Sequence, residues 1–208
     1  MSTLVLIRHA QSAVFDNHSD RLTALGERQA RALGEYWRAR GVGFDEVHSG
    51  TLQRHIRTAE LAGFSTFESR EEFNEYDAFG ILRAHPEYVP ATDNRQLQKM
   101  FETVMPLWMA GKLEGSGVET WPAFRERVLR GFRSIVDAEG PSRRVAVFTS
   151  GGPIGMAVQT VLQAPEHQAI EINWRIKNCS LTEFVFTRGR ISLDTFNATP
   201  HLVETTFR

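Results

Sequence analysis

Thr3-Leu4-Val5-Leu6-Ile7-Arg8-His9-Ala10-Gln11-Ser12 opens the chain with a sharp change of chemistry. Leu4 to Ile7 are consecutively apolar and include two β-branched residues, the pattern of a short strand buried on both faces. The run then breaks into an arginine, a histidine and small polar residues. In an open α/β sheet, ligands bind beyond the carboxyl ends of the strands. A cation and an imidazole placed at that edge are therefore candidate functional groups.

The rest of the chain supports such a sheet. After a polar loop, Ala13 to Arg21, the segment Leu22-Thr23-Ala24-Leu25-Gly26 opens a helix that runs to about Arg40. Leu22, Leu25, Ala30, Leu33 and Trp37 form its apolar stripe, with Thr23 as N-cap and Gly41 and Gly43 as the stop. Phe44 to His48 reads as a second strand, and Ser49 to Glu60 as a turn that becomes a helix. Trp121-Pro122 starts a further helix whose buried face is Phe124, Val128, Phe132 and Ile135-Val136. Arg143 to Pro153 repeats the opening logic: a buried strand, a glycine turn, then a helix from about Ile154 to Leu162. Leu181 to Thr187 and Arg190 to Phe196, joined by Arg188-Gly189, form a hairpin. This alternation predicts a largely parallel sheet with helices on its faces.

Between Ser69 and Trp121 the alternation fails. Pro86 and Pro90 interrupt Ala84 to Asp93, Arg95 to Met109 is amphipathic and Met-rich, and Gly111 to Gly117 is a loop. This excursion is expected to cover the site, with Met100, Phe101, Met105 and Trp108 as core packing.

Composition narrows the class. The chain has 208 residues, 41% apolar and 24% charged, with a formal charge of −1. Nothing in that balance argues for nucleic acid or an anionic membrane as partner. The single cysteine, Cys179, excludes an internal disulfide and fits a reducing compartment. It falls in an apparent strand and reads as an inert buried thiol. There is no bilayer-length apolar run and no secretion signal, so a cytoplasmic protein is expected.

Four segments carry a family resemblance: Leu6-Ile7-Arg8-His9-Ala10; Leu22-Thr23-x-x-Gly26-x-x-Gln29-Ala30; Ser49-x-x-Leu52-x-Arg54-x-x-x-Thr58-Ala59; and Thr149-Ser150-Gly151-Gly152-Pro153. In this order and spacing they resemble the histidine phosphatase superfamily, the phosphoglycerate mutase-like family. Phe73-Asn74-Glu75-Tyr76-Asp77-x-x-Gly80 is similar to that family's acid-bearing segment. Thr120 to Val128 and Phe196-Asn197-x-x-x-x-His201-Leu202 are similar to its later landmarks.

The resemblance implies a three-layer α/β/α sandwich with a mostly parallel central sheet, as one domain over 1–208 with 69–121 inserted as a cap. It implies a phosphomonoester hydrolase that needs no cofactor and no metal. His9 is the expected nucleophile, Glu75 the acid, and Arg8, Arg54, Ser150 and Gly151 the phosphate-binding groups. The expected partner is a small phosphorylated substrate rather than nucleic acid or a membrane; oligomeric state has no signal in the sequence.

Ser150 is the main departure, since most members carry a second histidine there, immediately before Gly-Gly. A neutral serine donor is about half as strong as a charge-assisted one, so weakened turnover is expected, and Ser150→His tests whether this position limits catalysis. His18 is the nearest candidate for a compensating histidine. His48, His55, His85 and His167 read as structural or exposed. Ala10 and Phe15 also depart from the usual pattern. Two alternatives stay open: a catalytically impaired module that binds or senses a phospho-ligand, and a phosphoglycerate mutase-type phosphotransferase. The short excursion before the late helix favours the phosphatase.

Overall fold

A computed structural model describes residues 1–13, 20–113 and 117–207. Phe15, His18 and part of the Gly111–Gly117 loop lie outside the described residues. The opening stretch is strand β1 (Ser2–Arg8), near the middle of a six-stranded sheet. Its neighbours are β4 (Arg144–Thr149), parallel, and β5 (Leu181–Thr187), antiparallel. On the β4 side follow β2 (Glu46–Ser49) and the short β3 (Glu68–Ser69), both parallel. On the other side β6 (Arg190–Ala198) closes the edge as a hairpin with β5, so the order is β3-β2-β4-β1-β5-β6.

Alternation along these strands divides the interior in two. Leu4, Leu6, Val145, Val147 and Phe184 join one apolar cluster, while Val5, Ile7, Ala146, Phe148 and Leu181 join the other. The second cluster is covered by α1 (Ala24–Ala39), through Ala30, Leu33 and Trp37, and by α2 (Gln53–Leu61), through Ala59. The first is covered by α3 (Ala78–Arg83), α4 (Asn94–Met109), α5 (Trp121–Val136), α6 (Gly151–Val161) and α7 (Gln168–Asn173). Helices on both faces of a mostly parallel sheet make the three-layer α/β/α arrangement. Each fully buried Leu, Ile or Phe contributes about 1.5–3 kcal/mol.

Local chemistry sets the helix ends. Thr23 caps α1 by accepting from Gly26 N–H at 3.0 Å, and Thr120 caps α5 by accepting from Ala123 N–H at 3.3 Å. Beyond Arg40, Gly41 takes φ +61, which ends α1 as the glycine predicts.

Three expectations need correction. Cys179 is not in a strand: it lies in the turn before β5 with φ +56, its N–H bonded to His9 O at 3.1 Å. It is buried, and burial pushes its thiol pKa up. Helix α6 begins at Gly151 rather than Ile154, because the turn glycines and Pro153 are themselves its first residues. Met105 and Trp108 are core, but Met100 and Phe101 are only partly buried and face a cavity.

Candidate active site

Strands β1 and β4 end side by side, with Arg8 paired to Thr149, so the residues after each strand meet at the sheet's rim. His9 N–H donates to Thr149 O at 2.8 Å, and His9 O accepts from Cys179 N–H at 3.1 Å. The next peptide is held from two helices. Ala10 N–H donates to Thr58 Oγ1 at 3.1 Å, and that hydroxyl donates to Arg54 O at 2.6 Å. Gln11 N–H donates to Gln29 Oε1 at 3.0 Å, while Gln29 Nε2 donates to Thr206 Oγ1 at 3.1 Å. The loop carrying His9 is thus fixed by α1, α2, β4 and the carboxyl-terminal segment.

The His9 ring has one orientation. Its Nδ1 lies 2.8 Å from Ala10 O, which can only accept, so Nδ1 carries the proton and Nε2 keeps its lone pair. Burial, then the charges of Arg54 and Arg8, lower its pKa well below 6.5, which keeps the ring neutral. Neutral imidazole is the nucleophilic form.

Arg8 is tied by its guanidinium to Ile176 O. That loop is held in turn by Asn197, whose Oδ1 accepts from Lys177 N–H at 2.7 Å and whose Nδ2 donates to Arg175 O at 2.8 Å. Arg54 projects from the first turn of α2, with Nη1 2.6 Å from Asp20 Oδ1. Asp20 also accepts from Gln53 N–H, so one carboxylate both orients the guanidinium and caps the helix.

Glu75 arrives from the segment after β3. Its Oε2 accepts from Gly152 N–H at 3.0 Å and its Oε1 from Tyr76 N–H at 3.2 Å. Burial raises its pKa against the pull of Gly152 N–H and the two arginines, so it holds a proton more readily than an ordinary glutamate. The approach requires glycine: a Cβ at Gly152 would lie 2.0 Å from Glu75 Oε1, and one at Gly151 would lie 2.0 Å from Asn173 Oδ1. The turn glycines therefore admit side chains as well as shaping backbone.

Arg8, His9, Arg54 and Glu75 all line one cavity of about 730 Å³. Ser150 and Gly151 do not line it; both are buried. Gly152 N–H, an early amide of α6, is given to Glu75. Much of the remaining wall is apolar: Phe79, Tyr88, Met100, Phe101, Trp174 and Phe207. Among the described residues no cluster of His, Cys, Asp and Glu could hold a metal ion, and no helix is long and apolar enough to cross a membrane.

Sequence reasoning passed over three contributors. Thr58 and Gln29 stand in the quoted motifs, yet their part in holding the Ala10–Gln11 peptides is visible only in three dimensions. Asp20 looked like one more polar loop residue. The largest revision concerns His55, which is fully buried with Nε2 2.6 Å from Ser150 Oγ, its ring centre 5.7 Å from that of His9. His48 and His167 fit their reading: His48 is buried, with Nδ1 3.1 Å from Glu68 Oε2, and His167 is exposed.

An imidazole, two guanidiniums and a protonatable carboxyl thus meet around one cavity. The chain belongs to the histidine phosphatase superfamily (branch 1), whose family profile matches residues 4–199. It is 29% identical over 207 residues to the probable phosphoglycerate mutase GpmB of Salmonella paratyphi B, covering 91% of this chain and 87% of that protein. Solved structures share the fold. A putative alpha-ribazole-5'-P phosphatase from Escherichia coli superposes with TM-score 0.70 at 20% identity, over 98% of this chain and 100% of that one. Phosphoserine phosphatase of Entamoeba histolytica, crystallised as an H9A mutant with phosphoserine, gives 0.66 at 18% identity, over 98% and 100%.

Proposed function

We propose that the chain is a phosphomonoester hydrolase working through a phosphohistidine at His9. The observation that carries this reading is the meeting of a neutral, singly oriented imidazole with Arg8, Arg54 and Glu75 on one cavity wall. His9 Nε2 gives its lone pair to phosphorus as the ester P–O bond breaks. Arg8 and Arg54 hold the phosphoryl oxygens, for which guanidinium forks are suited. Glu75 gives its proton to the leaving oxygen. The resulting carboxylate then takes a proton from water, whose oxygen attacks phosphorus and breaks the P–N bond, releasing inorganic phosphate.

Residues 69–121, as a cap on one domain spanning 1–208, supply much of the cavity's apolar wall and select the rest of the substrate. Among the described residues the cavity's cations are Arg8, Arg54 and Arg83, and Arg83 lies 3.8 Å from Asp77. Among the described residues the cavity wall beyond Arg8 and Arg54 is mainly apolar, so a phosphate ester with an apolar or aromatic body fits better than a phosphoglycerate. This favours hydrolase over mutase. Retention of both a nucleophile and an acid favours turnover over mere binding. We place the protein in the cytoplasm on the strength of its lone thiol.

Purified protein should hydrolyse aryl phosphates and yield an acid-labile phosphoprotein, and His9→Ala should abolish both. Activity surviving that substitution would refute the nucleophile. Across a panel, kcat/KM for aryl and long alkyl phosphates should exceed that for 3-phosphoglycerate by at least about tenfold, roughly the effect of burying one or two extra methylenes. The reverse order would refute the apolar-wall reading.

A further inference from the structure

His55 follows Arg54 on α2, but where Arg54 faces the cavity, His55 turns into the protein. Its Nε2 is 2.6 Å from Ser150 Oγ, in the turn that leads into α6. Both residues are fully buried, and no other side-chain hydrogen bond engages Ser150 Oγ among the described residues. Among the described residues His55 Nδ1 has no partner, and it rests against Gly50, where a Cβ would lie 2.2 Å away. An unpartnered buried N–H is more costly than an unpartnered lone pair. The proton therefore belongs on Nε2, which donates to Ser150 Oγ and leaves the serine's own proton for another acceptor. The His9 ring is close to this pair: the centroids of His9 and His55 are 5.7 Å apart.

We propose that His55 and Ser150 form a donor relay for the phosphoryl group carried by His9: His55 Nε2–H donates to Ser150 Oγ, and the Ser150 hydroxyl donates its own proton to a phosphoryl oxygen. The imidazole comes from α2, and the β4–α6 turn contributes only a hydroxyl. The proposal rests on the phosphohistidine reading above. Neither residue lines the open cavity, so the pair meets the phosphoryl group only at its innermost position, on the His9 ring. Burial, then the charge of Arg54, keeps His55 neutral, so it orients and polarises the Ser150 hydroxyl through a neutral hydrogen bond and is not a counter-ion. Donors aimed in a dry site at developing charge are among the largest contributors to catalysis.

The arrangement revises the expectation for Ser150→His. With His55 in place, two imidazoles would compete for one space, so the single substitution should lower activity. The decisive set is His55→Ala, Ser150→Ala, the double alanine variant, and His55→Ala combined with Ser150→His. Each is assayed for kcat, KM and the single-turnover rate of phosphohistidine formation. His55→Ala should lower kcat by about 10²–10³ with KM changed by less than about threefold. The double alanine variant should be no more than about threefold worse than the poorer single, since the two act as a unit. Returning an imidazole from the other element should recover at least about tenfold over His55→Ala, a rescue that a purely structural role would not produce.

A His55→Ala enzyme within about threefold of wild type would overturn the proposal, as would a failed rescue in a variant that melts like wild type. If His55→Ala does not fold, His55→Gln decides: a neutral donor of similar reach should keep part of the activity, and complete loss in a folded protein would count against the pair. Absence of phosphohistidine in the wild-type protein would instead remove the underlying function, before any variant is made.

Discussion

In the proposed hydrolysis, Glu75 must carry a proton when the leaving oxygen departs and must lose it before water attacks. Burial raises its pKa, while Gly152 N–H and the arginines pull in the opposite direction. His9 has the opposite requirement: it must be unprotonated to attack, and burial with Arg54 and Arg8 moves its pKa well below 6.5. The productive form has His9 neutral and Glu75 protonated. It therefore exists between the lowered histidine pKa and the raised carboxyl pKa, so the acid limb of kcat/KM should lie well below pH 6.5 and the alkaline limb above pH 4.5, the ordinary glutamate value. Glu75→Gln should remove the alkaline limb and lower kcat by about 10²–10³ on alkyl phosphates. The loss should be smaller on nitrophenyl phosphate, whose leaving oxygen needs little proton assistance. An unchanged pH profile in that variant would refute Glu75 as the acid.

At the scale of elements, close packing decides where glycine is needed. Gly34 lies inside α1, where alanine would ordinarily favour the helix by up to about 1 kcal/mol. Here a Cβ would come within 2.4 Å of Ala62 O, a backbone atom at the end of α2. Backbone cannot give way as a side-chain tip can, so overpacking wins. Gly34→Ala should destabilise by about 1–3 kcal/mol in denaturant unfolding. A more stable variant would show that α1 and α2 can separate without penalty. The same helices hold the Ala10 and Gln11 peptides through Thr58 and Gln29, so shifting them should also slow turnover.

At the scale of the molecule, buried neutral histidines link stability to acidity. His55 is held neutral by burial when folded but titrates near 6.5 when unfolded. Below that pH the unfolded chain binds the extra proton, so folding stability falls as pH falls, down to the lowered folded-state pKa. Above it the group makes no differential contribution. His55→Asn removes this linkage while other groups cancel in the comparison. Wild type should therefore lose about 1.4 kcal/mol per pH unit relative to that variant as pH drops below the unfolded value. Parallel pH–stability curves for the two proteins would show that His55 titrates alike in both states.

The layered sheet, the cap at Thr23, and the candidate set His9, Arg8, Arg54 and Glu75 were legible in the sequence. They rest on local signals: runs of apolar residues, helical spacing, capping chemistry and an ordered set of short motifs. What Ser150 faces was not legible, because its partner lies 95 positions away on another element. Cys179 read as strand because it stands two residues before the strand that begins at Leu181, and a single residue at positive φ leaves no local signal; the turn shows in its hydrogen bond to His9 O. Met100 and Phe101 read as core because helical spacing marks a face as apolar without saying whether protein or a cavity lies against it. Covalent order along the chain determined which elements form and which residues end each strand. The docking of α2 against β4 alone decided that a buried imidazole stands beside the nucleophile, since long-range contacts depend on how two elements pack and not on the residues adjacent in either.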